Sequence, residues 1–200
     1  MPRTAKSILK KCWNRAIPID VDALKWFAAN LRVNVIAHVR HDDFCGEYLP
    51  VGRRTGDPPL IFYNVRKPAA RQSFAIAHCL GHHVLGHGRR PKETGYDAHT
   101  SDQREKDANV FAVELLMPEE AVREYIHHFH MEHHLSLEAL SRYFHVEPAA
   151  MALRLHSLGM EPVKISVPSL KRFPLQGHAK NKLHASNYYH GKHSLSHVRS

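Results

Sequence analysis

The chain predicts an α+β fold, in which a small, mostly antiparallel sheet packs with a histidine-bearing helix and further helices. Three observations predict it. Short β-type runs occupy the chain up to Tyr63, the last being Leu60-Ile61-Phe62-Tyr63. From Ala69 onward apolar residues recur at three- and four-residue spacing, in segments divided by Gly and Pro. The 200 residues with 43% apolar content are enough for a globular chain to bury a real core.

Asp20 is a capping residue for a short helix to Leu31, with Val21, Leu24 and Phe27/Ala28 on one face. Arg32 to Val39 alternates as a strand. Phe44 to Val51 and Leu60 to Tyr63 are the next two strands, separated by a loop carrying Gly52, Gly56 and Pro58-Pro59. Pro68 opens a helix from Ala69 to Leu85 whose stripe is Phe74, Ala77, Leu80 and Val84, and Gly86-His87-Gly88 ends it. After a polar loop, a second helix spans Asp102 to Met117 with Ala108, Phe111, Ala112 and Leu115 on its apolar side. Pro118 stops that helix and starts another, through Glu119-Glu120 to about Phe129. Ser136–Phe144 and Pro148–Leu158 form a helical pair around His145-Val146-Glu147. Beyond Gly159 the pattern dissolves.

The formal charge of +9 is distributed unevenly. Pro162 to Ser200 holds seven Lys/Arg and no acid, and Met1 to Ile19 holds five and no acid, so the stretch between them is net negative at −3. Basic ends of this kind stay solvated or touch polyanions non-specifically, which suggests nucleic acid only weakly. Cys12, Cys45 and Cys79 are too few and scattered for a disulfide framework and fit a reducing, cytoplasmic setting. No run is long enough to span a membrane, and the basic N-terminal segment lacks the apolar core of a secretory signal.

The chemistry centres on His78-Cys79-Leu80-Gly81-His82. Two histidines four residues apart lie about 40° from each other around a helix, so both rings reach one ion. In His-Glu-x-x-His enzymes the intervening Glu is the general base for the zinc-bound water, and here Cys79 stands in its place.

The surrounding blocks resemble the ImmA/IrrE-type zinc metallopeptidases. An apolar strand ends in Tyr63-Asn64 and is followed by Arg71-Gln72-Ser73-Phe74-Ala75-Ile76-Ala77-His78-Cys79-Leu80-Gly81-His82. A second block reads Glu105-Lys106-Asp107-Ala108-Asn109-Val110-Phe111-Ala112-Val113-Glu114-Leu115-Leu116-Met117-Pro118. The likeness extends from about Ile17 to Met160. It implies a zincin-like metallopeptidase domain at 17–134 and a helix-turn-helix-like pair at 135–160 packed on it, while charge and composition give a basic arm at 1–16 and a disordered, basic, His-rich tail at 161–200.

The resemblance implies zinc held by His78, His82 and Asp107, the last at the position of the family's third ligand. Asp107 is about one methylene shorter than the family's Glu. Glu105, about 200° away on a regular helix, reads as a solvated first-turn acid. Cys79 takes the general-base position but accepts a proton poorly as a thiol and tends to become a ligand as a thiolate. Its plain reading is a small buried residue in a degenerate motif. Glu114 supports the site or faces solvent. His83 and His87 read as residues behind the ligands or on the surface. His127, His128, His130, His133 and His134, and the tail's His178, His184, His190, His193 and His197, read as solvated.

By resemblance, the family cuts a helix-turn-helix repressor. The expected function is therefore a zinc-metallopeptidase-like protein acting on such a repressor, with proteolysis impaired or lost at Cys79. The alternatives are a non-catalytic zinc-binding regulatory or antitoxin-like module, and a DNA-binding regulator using Leu135 to Gly159.

Overall fold

Helix α3 (Ala69–Leu85) is buried without a break from Ser73 to His82 because other elements press on it from several sides. The structure, a computed structural model, describes residues 4–50, 56–88, 101–130 and 136–160, all of which fall within one unit, Met1–Ile165. Ahead of α3 come α1 (Ala5–Cys12), α2 (Val21–Asn30), β1 (Asn34–His38), β2 (Gly46–Leu49) and β3 (Leu60–Asn64). After it come α4 (Gln103–Leu116), α5 (Glu119–His130), α6 (Leu137–Phe144) and α7 (Pro148–Ser157).

The α+β class expected from the sequence is the one observed, and the sheet is mixed. Strand β3 lies between the other two, antiparallel to β2 and parallel to β1, with Asn34 opposite Leu60 and His38 opposite Asn64. The parallel pairing follows from a chain that reverses twice: β2 returns beyond the β3 position, and β3 fills the gap in β1's direction. Asn64 fixes this arrangement. It is fully buried, its Nδ2 donates to the Arg40 and Phe44 carbonyls at 3.1 and 3.0 Å, and its Oδ1 accepts from the Arg40 and Arg66 amides. One side chain thereby satisfies the backbone of the loop carrying the chain from β1 to β2.

The helices begin and end where their termini find partners. Asp20, Asp102 and Ser136 accept from backbone amides at the starts of α2, α4 and α6. Gly86 closes α3 in the left-handed conformation, at φ 72. The stretch 1–16, read as a solvated arm, contains α1, capped by Thr4 and Ser7 in a reciprocal box, with Ala5 and Ile8 buried and Lys6, Lys10 and Lys11 exposed. Three lysines in eight residues hide the apolar stripe from a charge count.

Helices α6 and α7 pack on the core through Leu140, Phe144, Met151 and Leu155. Arg154 is 5% exposed and donates from Nε to the Met117 carbonyl at 2.8 Å, tying α7 to the end of α4. Arg71 of α3 and Glu147 at the start of α7 form an ion pair at 2.7 Å. Residues 131–135 and the tail expected at 161–200 lie outside the described residues. His127 and His128 are exposed on α5. No helix among the described residues is long and apolar enough to cross a membrane.

Gly81 sets the spacing between α3 and α4. A Cβ built there would stand 3.2 Å from Ala108 Cα, from the Ala108 carbonyl oxygen and from Phe111 Cβ. Two of those atoms are backbone, so α4 itself would have to move. Overpacking of this kind costs about 1–3 kcal/mol, partly offset by about 1 kcal/mol of helix propensity gained over glycine. Gly81→Ala is expected to lower stability by about 1 kcal/mol in urea unfolding. An unchanged or raised midpoint would show that the helices have room to spare.

Candidate metal centre

The last turns of α3 and the first turns of α4 meet on three donor atoms. His78 and His82, 2% and 1% exposed, direct Nε2 atoms to within 2.8 Å of each other. A carboxylate oxygen of Glu105, Oε2, lies 3.1 Å from the first and 3.4 Å from the second. Among the described residues these three form a group whose ligand atoms all lie within 4.8 Å of one another. Three lone-pair-bearing atoms so close together repel unless a proton or a cation lies among them. Their chemistry, two imidazoles and a carboxylate, suits a divalent metal.

The rings are oriented from behind. His78 Nδ1 faces Asn109 Oδ1 at 2.9 Å; an amide oxygen only accepts, so the ring proton sits on Nδ1 and the Nε2 lone pair points into the site. His82 Nδ1 faces His87 Nδ1 at 3.0 Å. Tyr48 of β2 places its hydroxyl 3.0 Å from His83 Nδ1. Burial, and secondarily the neighbouring Cys79, pushes the Tyr48 hydroxyl up to about 12. Burial also lowers the His83 pKa, with a hydrogen bond to the Leu31 backbone opposing the shift.

Asp107, expected as the third ligand, is not at the centre. It is exposed, and its carboxylate accepts from Gln103 Nε2 at 2.8 Å. Glu105, read as a solvated acid, stands there instead. The correction lies in which face of α4 is buried. At about 100° per residue, Ala108, Asn109, Ala112 and Leu116 cluster within roughly 60° of Glu105, at the middle of the buried arc, whereas Asp107 falls about 200° away. The angular separation of the two acids holds; Asp107 is selected by its place in the resembling block, and the packing of α4 selects Glu105 instead.

Cys79 is fully buried. It lies outside the three-donor group, under β2, where a Cβ added to Gly46 would stand 3.7 Å from its Sγ and 3.1 Å from Ala75 Cβ. Glu114 is away from the centre, its Oε1 at 4.0 Å from Arg154 Nη1. Asn64, Asn109 and His87 act in the structure in ways that residue type alone did not reveal.

A small sheet over a helix bearing His-x-x-x-His, with a carboxylate delivered from the next long helix, defines a metallopeptidase-like class of protein. The chain belongs to the IrrE N-terminal-like domain family, peptidase M78, whose model matches residues 36–156. The match begins within β1 and ends within α7, leaving α1 and α2 ahead of it. A comparison with curated proteins finds no match.

The two acids of α4 are separable by substitution. Glu105→Gln should weaken retention of divalent metal by more than about 100-fold, beyond the 10–100-fold typical of residues that only orient a ligand. Asp107→Asn should leave it within about twofold of the parent. Elemental analysis after dialysis against graded chelator reads both, and the reverse ranking would restore Asp107 as the ligand.

Proposed function

We propose that the protein is a zinc-holding, metallopeptidase-like regulator whose partner is a helix-turn-helix repressor, with peptide hydrolysis impaired or lost at position 79. The observation that carries the reading is the convergence of His78, His82 and Glu105 beside a fully buried Cys79. Zinc bound by three such donors, at bonds of about 2.0–2.2 Å, places them roughly 3.3 Å apart. The separations of 2.8, 3.1 and 3.4 Å bracket that value.

A zinc ion in such a site polarises a carbonyl and makes a bound water more acidic. The chain's residues divide the remaining tasks. His78 and His82 hold the ion through Nε2, Asn109 keeps the His78 proton away from it, and Glu105 supplies negative charge. No carboxylate stands at position 79 to take a proton from water, and loss of general-base help costs about 10²–10⁴-fold in rate.

Binding a repressor without cutting it is the second reading. Its support is the burial of Cys79 under Gly46, beside three described donors and with no carboxylate at position 79. The DNA-binding alternative is disfavoured by Arg154. It is the arginine of α7, and it is buried on the Met117 carbonyl instead of being available to a base edge. Three scattered cysteines suit the cytoplasmic setting proposed for a regulator of transcription.

The test pairs metal content with Cys79→Glu. The parent should carry about one zinc per chain, as a three-donor site requires. It should also bind a helix-turn-helix repressor encoded beside it, with cleavage at least about 100-fold slower than in the Glu variant. Equal cleavage by both chains would remove position 79 from the account, and a metal-free parent would sink the zinc reading.

A further inference from the structure

The turn that ends α3 returns a side chain to the metal centre. On a continuous helix His87 would lie about 140° around the axis from His82. Gly86 at φ 72 and Gly88 at φ 70 instead fold the chain back, and the His87 amide donates to the His82 carbonyl at 3.0 Å. Among the described residues an added Cβ would meet nothing within 4 Å at either position, so neither glycine is needed for space there. They are needed for the left-handed backbone. The turn brings the two rings to 5.2 Å between centroids at an interplanar angle of 63°, with Nδ1 facing Nδ1 at 3.0 Å.

Two lone pairs cannot face each other at that distance, so one of the two nitrogens carries hydrogen. The other nitrogen of His82, Nε2, is committed to the three-donor group. A neutral ring that uses the Nε2 lone pair as a ligand holds its proton on Nδ1, and the acceptor for that proton is His87 Nδ1. His87 then carries its own proton on Nε2.

We propose that His87 is a positioning residue for the metal site: its Nδ1 accepts the Nδ1–H of His82, fixing the ring's tautomer and angle so that Nε2 faces the ion. This rests on the zinc reading above. It makes the Gly86-His87-Gly88 turn the counterpart on His82 of what Asn109 is on His78. One ligand is held by a side chain from the neighbouring helix, the other by the cap of its own helix.

The experiment uses the full chain with zinc alone, titrated in competition with a chromophoric chelator. His87→Leu removes the acceptor, whereas His87→Asn keeps an oxygen where Nδ1 stood. The Leu variant should bind zinc about 10–100-fold more weakly than the parent, and the Asn variant should recover affinity to within a few-fold. In the zinc-loaded parent and Asn variant, long-range proton–nitrogen NMR should find a protected proton on His82 Nδ1. In the Leu variant that proton should exchange rapidly with water. Urea midpoints of the variants identify any loss due to unfolding. Parental affinity in the Leu variant would overturn the proposal while leaving the zinc site standing. Equal loss in Leu and Asn variants would reduce His87 to a packing role and overturn it too. A parent that binds no zinc overturns the zinc reading itself, and the proposal with it.

Discussion

The contact between Gly81 of α3 and Ala108 of α4 is the constraint on which the site depends. Glu105 is one turn before Ala108 and Asn109 one residue after it, while His78 and His82 flank Gly81. Because the two backbones touch at 3.2 Å from where a Cβ would be, a carboxylate on one helix reaches the imidazoles of the other. The wider packing serves the same end. The sheet presses on α3 at Gly46 and Tyr48, and α7 holds the far end of α4 through Arg154 and the Met117 carbonyl. Substitutions at these contacts should therefore alter the donor geometry even though none of these residues belongs to the three-donor group.

In the proposed reading, holding a metal and using it are separate properties of the site. Every donor is buried or nearly so, and both histidines have partners behind them on Nδ1. Such burial and orientation cost stability unless a cation occupies the convergence of lone pairs. Within the His-Glu-x-x-His pattern the departure is at position 79; Asp107, which stands where the resembling block has Glu, lies outside the three-donor group. A cysteine at the proton-accepting position beside three described donors is the basis of the proposed reading, in which metal holding outlasts turnover.

Much of the fold was legible because periodicity and punctuation agree. Pro68 and Gly86 bound α3, Pro118 divides α4 from α5, and Pro148 opens α7, each for a reason local to the backbone. The parallel β1–β3 pairing was not legible, because strand order depends on where Asn64 anchors a loop and leaves no mark on the alternation of side chains. Helix α1 was masked by its lysines. At the site, the histidine spacing gave away two donors. The third falls to Asp107 by its place in the resembling block, and the burial of Ala108, Asn109 and Ala112 on one side of α4 turns Glu105 inward instead. His87 reads as lying behind the ligands or on the surface, and helical spacing could not decide between the two because its position follows from two left-handed glycines.

The central claim is that two imidazoles and the Glu105 carboxylate hold the ion and that Cys79 does not. Zinc-edge X-ray absorption on the protein as purified tests it most directly. The account predicts nitrogen and oxygen neighbours alone, at about 2.0–2.2 Å, two of them imidazole. A sulfur neighbour at about 2.3 Å would contradict it, making Cys79 a ligand and the site a closed one.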